Sequence, residues 1–194
     1  MYEQLRTNLA QSVNLTDEEL DRITSRLSHC TLQKNEILLR AGQVCRNAFF
    51  INQGCLRYYY PVDGEEKTGQ FFFENDWYTD FVSFVSGKPS EENIQALEKC
   101  SLLVLSRPDL LDLFDQNPKF ERFGRLTAEQ AVLGIKARNA ALINQSPEQR
   151  YLRLLKNRPK VVARLPQHYI ASFLNIKPKS LSGIRKRLAD NRRS

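Results

Sequence analysis

Several residue types and patterns are scarce in this chain of 194 residues, and each absence excludes a class of protein. No run of about 18 apolar residues occurs, and the N-terminus has no basic-then-apolar leader, so we predict neither a membrane span nor secretion. Only two histidines and four scattered cysteines are present, with no CxxC pair, which argues against a metal site. We expect a cytoplasmic protein with buried free thiols, no cofactor, no metal and no membrane partner.

Motifs that carry enzyme chemistry are also missing. The sequence has no Walker loop, no nucleophile elbow, no GxGxxG and no histidine pair at zinc-binding spacing. Asp80 and Glu91 are a conceivable carboxylate pair, but nothing near them in sequence supplies a second catalytic element. We therefore predict no catalytic residue and no enzyme activity.

Positive charge is concentrated at one end of the chain. The net charge is +7, yet residues 151–194 hold 12 Lys and Arg against one Asp, whereas residues 1–150 hold 17 against 21 acidic residues. Such a concentration is typical of a surface that binds an anion, nucleic acid above all, although a solvated basic face has the same composition.

The pattern of apolar residues divides the chain into helical and β-rich parts. Residues 16–28 predict a helix that Thr16 caps together with Glu19. Short β-rich runs separated by glycine turns follow over residues 30–106 and predict a β-sandwich or roll. Twelve of the 19 aromatic residues lie between Phe49 and Phe84, too many for one inward face, so some should line a cavity or an interface.

Helical patterns return from residue 107. A short helix is predicted first, and Pro118 then opens a long one that carries a stripe of apolar and small residues. The stripe consists of Phe120, Phe123, Thr127, Ala131, Gly134, Ile135, Ala141 and Leu142. Periodicity alone leaves two interpretations open: the stripe pairs with its twin in a homodimer, or it packs on its own β domain.

Residues 146–194 have the pattern of a DNA-reading helix-turn-helix. Ser146 and Gln149 predict a capping box at the start of a first helix, and LPQHYIASFLNIKPKSLSGIRKRLADN follows. Ala171 is the small residue at the helix crossing, Asn175 is a turn residue that tolerates positive φ, and Pro178 starts the second helix. The predicted DNA-binding residues are Gln167, Lys177, Lys179, Ser180, Ser182, Gly183, Arg185, Lys186 and Arg187. A plain helical hairpin with a basic solvated face is the alternative.

In this order of parts, the chain resembles the Crp/Fnr family of bacterial transcription regulators over nearly its whole length. EILLRAGQVCRNAFFINQGCLRYYY is similar to the family's glycine-turn segment, and NDWYTDFVSFVSGKPSEENIQALEKCSLLVLS to its phosphate-binding cassette and following strands. The resemblance implies an α+β fold: a cyclic nucleotide-binding-like β-roll with flanking helices (1–117), a long dimerisation helix (118–145) and an all-α helix-turn-helix domain (146–194). It also implies a homodimer on near-palindromic double-stranded DNA, with half-sites about one helical turn apart.

The effector segment departs from the family pattern. Cyclic nucleotide-binding members carry Gly-Glu and Arg-Ser or Arg-Thr where this chain has Thr79-Asp80 and Ser90-Glu91. Ser90 cannot neutralise a phosphate and Glu91 repels one, so cyclic AMP is not the expected effector. A pocket for an unidentified small molecule is predicted at Tyr58, Phe72, Thr79, Asp80, Phe81, Ser90 and Glu91. A filled pocket that binds no ligand and a contact with another protein are the alternatives.

The DNA-binding end departs as well. Lys179 and Gly183 stand where many members have Glu and Arg, and Lys177 stands where a Ser or Thr would cap the helix. The wing strands of many relatives are expected to be truncated or absent. Contacts to the DNA backbone would come instead from arginines and a lysine, which are Arg185, Lys186, Arg187, Arg192 and Arg193. The sequence predicts a sequence-specific transcription regulator. The alternative is a ligand- or protein-binding β-roll module whose basic C-terminal domain binds DNA only nonspecifically.

Overall fold

The computed structural model describes residues 2–191. By their internal contacts these residues form two compact units. The first comprises the residues up to Tyr58 together with Phe71–Val132, and the second comprises Tyr59–Gln70 together with the residues from Leu133 on.

Two four-stranded sheets form the β-roll. Their strands are β1 (Ser28–Leu32), β2 (Ile37–Leu39), β3 (Asn47–Gln53), β4 (Leu56–Val62), β5 (Glu65–Phe72), β6 (Trp77–Tyr78), β7 (Asn93–Ala96) and β8 (Cys100–Ser106). One sheet has the order β1-β8-β3-β6 and the other β2-β7-β4-β5. The strand pairs β1–β8, β3–β8, β3–β6 and β2–β7 are antiparallel. The predicted α+β fold with a β-roll is confirmed.

Helices flank the roll. They are α1 (Glu3–Ala10), α2 (Asp17–Thr24), α3 (Phe81–Ser86), α4 (Arg107–Gln116) and the 27-residue α5 (Pro118–Asn144). The capping box predicted for α2 is present, since Thr16 Oγ1 accepts from the Glu19 N–H at 3.2 Å and Glu19 accepts from the Thr16 N–H at 2.8 Å. The helix ends four residues earlier than predicted, and His29 lies in the following strand β1.

Alternation along the central strand explains the excess of aromatic residues. Phe49 and Ile51 belong to one buried cluster, whereas Phe50 between them belongs to a second cluster that includes residues of α1 and α2. Both faces of β3 are therefore buried. The side chains of a strand point alternately to its two faces, and here one face packs against a sheet and the other against helices. Trp77 packs against Phe50 in the second cluster, with ring centroids 5.3 Å apart.

Gly54 permits a close approach between β3 and β8. Its φ is +102°, and a Cβ at this position would lie 2.6 Å from Cys100 Sγ and 2.7 Å from the Lys99 carbonyl oxygen. Only glycine fits here, since both the backbone conformation and the space exclude a side chain. All four cysteines are free thiols, with Cys30 half-buried and the other three buried.

The second unit contains four helices in addition to the C-terminal part of α5 and the tip of the β4–β5 hairpin. They are α6 (Pro147–Asn157), α7 (Pro159–Arg164), α8 (Gln167–Phe173) and α9 (Pro178–Asp190), the last element of the described residues. The capping box predicted at Ser146 and Gln149 is present, while α7 was not predicted. None of the helices in residues 2–191 is both long and apolar enough to span a membrane.

Candidate nucleic-acid interface and effector site

Helices α8 and α9 meet through a tight turn of the predicted kind. Asn175 has φ +53°, and the Ile176 N–H donates to the Ala171 carbonyl at 3.0 Å. The Ala171 side chain is fully buried, which leaves room for the second helix to pass close to the first. Pro178 occupies the first turn of α9, where a missing N–H costs nothing.

Apolar residues fix the orientation of α9. Leu181 and Ile184 are buried and Leu188 is half-buried, so the predicted inward face is the one that packs. The remaining core of this unit comes from Tyr151, Leu154, Val161, Leu165, Ile170 and Leu174, all of them buried. The outward side of α9 is thereby set by packing within the unit.

The predicted DNA-binding residues share one property: all nine are exposed. They are Gln167, Lys177, Lys179, Ser180, Ser182, Gly183, Arg185, Lys186 and Arg187. Arg187 also pairs with Glu148 of α6 at 2.8 Å, so its charge is partly compensated within the protein. Arg192 and Arg193, which we predicted to contact the DNA backbone, lie outside the described residues.

The N-terminus of α9 presents positive potential. Lys177 is the N-cap residue and makes no side-chain capping bond, and the first turn contains no acidic residue. The helix dipole and the ammonium groups of Lys177 and Lys179 therefore act in the same direction at this end. An N-terminus of this kind favours phosphate oxygens.

Inside the β-roll, three aromatic rings stack. Phe72 and Tyr78 have ring centroids 4.1 Å apart, and Tyr58 stacks on Tyr78 at 5.8 Å with nearly parallel planes. Tyr58 and Phe72 of the predicted effector pocket are thus brought together, and both pack against the main buried cluster.

The other predicted effector residues separate into buried and exposed groups. Thr79 donates to the Asn47 carbonyl at 2.9 Å, and the buried Asp80 caps α3 by accepting from the Ser83 N–H at 3.2 Å. The buried Ser90 hydroxyl donates to the Glu92 carbonyl at 2.9 Å and accepts from the Glu92 N–H at 3.1 Å. Two further residues, Phe81 and Glu91, lie on the surface.

Known proteins share this architecture. Residues 29–117 match the cyclic nucleotide-binding domain family. FixK2 from Bradyrhizobium japonicum superimposes with a TM-score of 0.73 at 15% identity, over 85% of each chain. The c-di-GMP responsive global regulator CLP from Xanthomonas campestris gives 0.72 at 14% identity, over 91% of this chain and 93% of CLP. A CooA mutant from Carboxydothermus hydrogenoformans gives 0.70 at 15% identity, over 92% and 88%. No curated protein matches the sequence significantly.

The chain has the fold of the Crp/Fnr transcription regulators. Within this fold, the sequence interpretation missed two buried charged residues of the roll, Glu92 and Arg57. Glu92 is 6% exposed and accepts a hydrogen bond from the Tyr78 hydroxyl. Burial and the neighbouring Glu92 carboxylate raise the pKa of Tyr78 well above its ordinary value, so this phenol stays protonated.

A signal for Glu92 was present in the sequence. Ile94 and Ala96 are fully buried on alternate positions of β7, and Glu92 is the next residue back in the same alternation. Arg57 is a second missed residue: it is 1% exposed and donates to the side-chain oxygen of Gln95 through two nitrogens, at 2.6 and 2.9 Å. The interior of the β-roll therefore contains both stacked aromatic rings and hydrogen-bonded polar side chains.

Proposed function

We propose that the protein is a homodimeric, DNA-binding transcription regulator of the Crp/Fnr type. The observation that carries the proposal is the basic, exposed face of α9, held outward by Leu181 and Ile184 and preceded by the Asn175 turn. A helix-turn-helix of this form places the N-terminal part of its second helix in the major groove of DNA.

Exposed apolar side chains on α5 support a dimer. Val132, Ile135 and Ile143 are 55%, 56% and 81% exposed, and their spacing puts them on one side of the helix. A second copy of the same helix would remove these three side chains from water, as in a two-stranded coiled coil. A twofold dimer then binds a near-palindromic operator with half-sites about one turn apart.

Cyclic AMP is not the effector in this proposal. The position that would hold a guanidinium for the cyclic phosphate is Ser90, whose hydroxyl bonds the main chain of Glu92, and Glu91 adds a negative charge beside it. An anionic ligand gains no charge-assisted hydrogen bond from these two side chains. Any effector of the roll is an unidentified small molecule.

The remaining parts of the proposal follow from the same function. The effector domain comprises residues 1–117, the dimerisation helix 118–145 and the DNA-binding domain 146–194. The protein is not an enzyme, needs no cofactor, and acts in the cytoplasm, where a regulator meets the chromosome.

The alternative is a β-roll module whose basic end binds DNA without preference for sequence. Gly183 offers no side chain for base readout, and this favours the alternative at one position of α9. In this case phosphate contacts alone would determine the affinity.

Selection from a randomised duplex pool separates the two functions. Purified full-length protein is used to enrich bound duplexes, and anisotropy of the enriched pool is then followed as salt is added. The regulator predicts a near-palindrome with half-sites about 10 base pairs apart. Binding without enrichment, lost steeply with salt, would establish the nonspecific alternative.

A further inference from the structure

A pocket lies wholly within the second unit. It has a volume of about 210 Å³ and is bounded by the C-terminal part of α5, by α6, by the end of α8 and by Gln70 of the hairpin segment. An apolar cavity of roughly 150 Å³ holds benzene, so this pocket has room for one six-membered ring and a few further heavy atoms.

Arginine side chains form much of the polar part of the pocket. Four of the 14 residues that line it are arginines, and none is Asp or Glu. Arg150 donates to the carbonyl oxygens of Leu174 at 3.2 Å and Gln145 at 2.7 Å, and Arg153 donates to that of Ala137 at 3.1 Å. These oxygens are neutral, so they orient the two guanidinium groups without cancelling their charge.

The rest of the wall is apolar, with one unsatisfied acceptor. Ala141, Leu154 and Leu174 are buried where they line the pocket, and Phe173 adds an aromatic ring. The side-chain oxygen Oε1 of Gln145 is buried and has no hydrogen-bond partner within the described residues. Because this atom is closed off even from water, it belongs to the packed wall and offers no contact to a ligand.

We propose that this pocket binds a small amphipathic anion: a carboxylate on a compact apolar body. The carboxylate lies against Arg150 and Arg153, since the planar guanidinium fork matches carboxylate geometry. The apolar body contacts Ala141 and Leu154. The site is separate from the effector residues of the β-roll, and its binding chemistry does not rest on the proposed DNA-binding function.

Gly134 provides a way to block the pocket without disturbing the fold. It lines the pocket on α5, and a Cβ built on it meets nothing within 4 Å. A leucine at this position extends into open space and improves helix propensity, so the Gly134→Leu protein is expected to fold. Gly134→Ala is the matched control, since one methyl group leaves most of the pocket open.

The test is isothermal titration of the full chain with benzoate, in the absence of DNA. We expect saturable binding of benzoate and at least about tenfold weaker binding of the neutral benzamide. Arg153→Gln, which retains a donor for Ala137, should weaken binding by about 10- to 100-fold. Gly134→Leu should abolish binding and Gly134→Ala should preserve it, with melting temperatures confirming that each variant is folded.

Three results would overturn the proposal. They are no saturable binding at millimolar concentration, equal affinity for the anion and the amide, or wild-type affinity in both Arg153→Gln and Gly134→Leu. Since no DNA is present, none of these results bears on the selection experiment that tests DNA recognition.

Discussion

Ser172 and Glu66 are joined by a hydrogen bond of 2.7 Å, in which the Ser172 hydroxyl donates to the Glu66 carbonyl. The same hydroxyl accepts from the Thr68 N–H at 2.9 Å. Arg138 of α5 adds two further bonds, to the carbonyl oxygens of Thr68 at 3.2 Å and Phe173 at 3.1 Å. The first helix of the helix-turn-helix is therefore tied to the hairpin segment 59–70 within the second unit.

Replacing Ser172 with Ala tests how much this connection stabilises the protein. The variant loses both hydrogen bonds to the hairpin backbone, and we expect the free energy of unfolding to fall by about 1–2 kcal/mol. Ser182→Ala is the control, because Ser182 is exposed on α9 and should change the value by less than about 0.5 kcal/mol. Urea denaturation at one fixed protein concentration gives both values. Equal stability of the two variants would contradict the structural role of Ser172.

The turn before α9 gives a second prediction. Asn175 has φ +53°, a conformation that glycine adopts freely and a β-branched residue adopts only with strain. We expect Asn175→Gly to retain wild-type stability within about 1 kcal/mol and Asn175→Val to lose about 1–2 kcal/mol or more. Thermal denaturation of both variants compares two substitutions at one exposed site. If the valine variant were as stable as the glycine variant, position 175 would not require a left-handed backbone conformation.

Glu19 contributes to the stability of the folded protein in acid. The pKa of Glu19 is lowered from 4.5 to about 2. A hydrogen bond from Lys119 at 2.8 Å contributes most to this change, followed by hydrogen bonds from the Thr16 N–H and the Asn117 amide. Because the folded-state pKa is lowered, the stabilisation is fully present above about pH 4.5 and is lost as the pH falls towards 2.

When Glu19 is replaced by a residue that cannot ionise, we expect the melting temperature to depend less on pH in acid. Between pH 4.5 and 2, the melting temperature of Glu19→Gln should fall less steeply than that of the wild type. Glu18→Gln, on the exposed side of the same helix, is the matched control and should follow the wild-type curve. Identical slopes for all three proteins would assign the acid response to other carboxyl groups.

The features that were predicted correctly depend on neighbours in the chain. Both capping boxes, at Thr16 and Ser146, are contacts over three residues, and the turn at Asn175 follows from its own backbone preference. Such local chemistry is visible in a sequence without knowledge of the fold. The long helix from Pro118 is visible for the same reason.

The features that were missed depend on residues far apart in the chain. Ser172 meets a backbone 106 residues away, and Tyr78 donates to Glu92, which is 14 residues further along the chain and in another segment of the roll. In the second-unit pocket, Gln70 and Arg150 come together only because the hairpin and α6 fold into one unit. No spacing rule in the sequence connects such pairs.

The exposed face of α9 predicts a division of labour between base readout and phosphate binding. Lys179 lies in the first turn of α9, the part of a recognition helix that reaches base edges, and its ammonium group donates to guanine acceptors. We expect Lys179→Ala to change the enriched sequence at one position of each half-site, with a loss of about 1–3 kcal/mol on the preferred site only.

Arg185 supplies the comparison on the same helix. Its side chain is exposed and is a predicted contact to the DNA backbone, so Arg185→Ala should weaken binding to all duplexes by a similar factor. The slope of log affinity against log salt should also decrease by about 1 for each protomer. Competition binding of both variants to the selected operator and to a scrambled duplex measures the two effects. Only a residue that contacts bases distinguishes the two duplexes. If both variants lost the same affinity for both duplexes, Lys179 would not read bases, and binding through phosphates alone would be favoured.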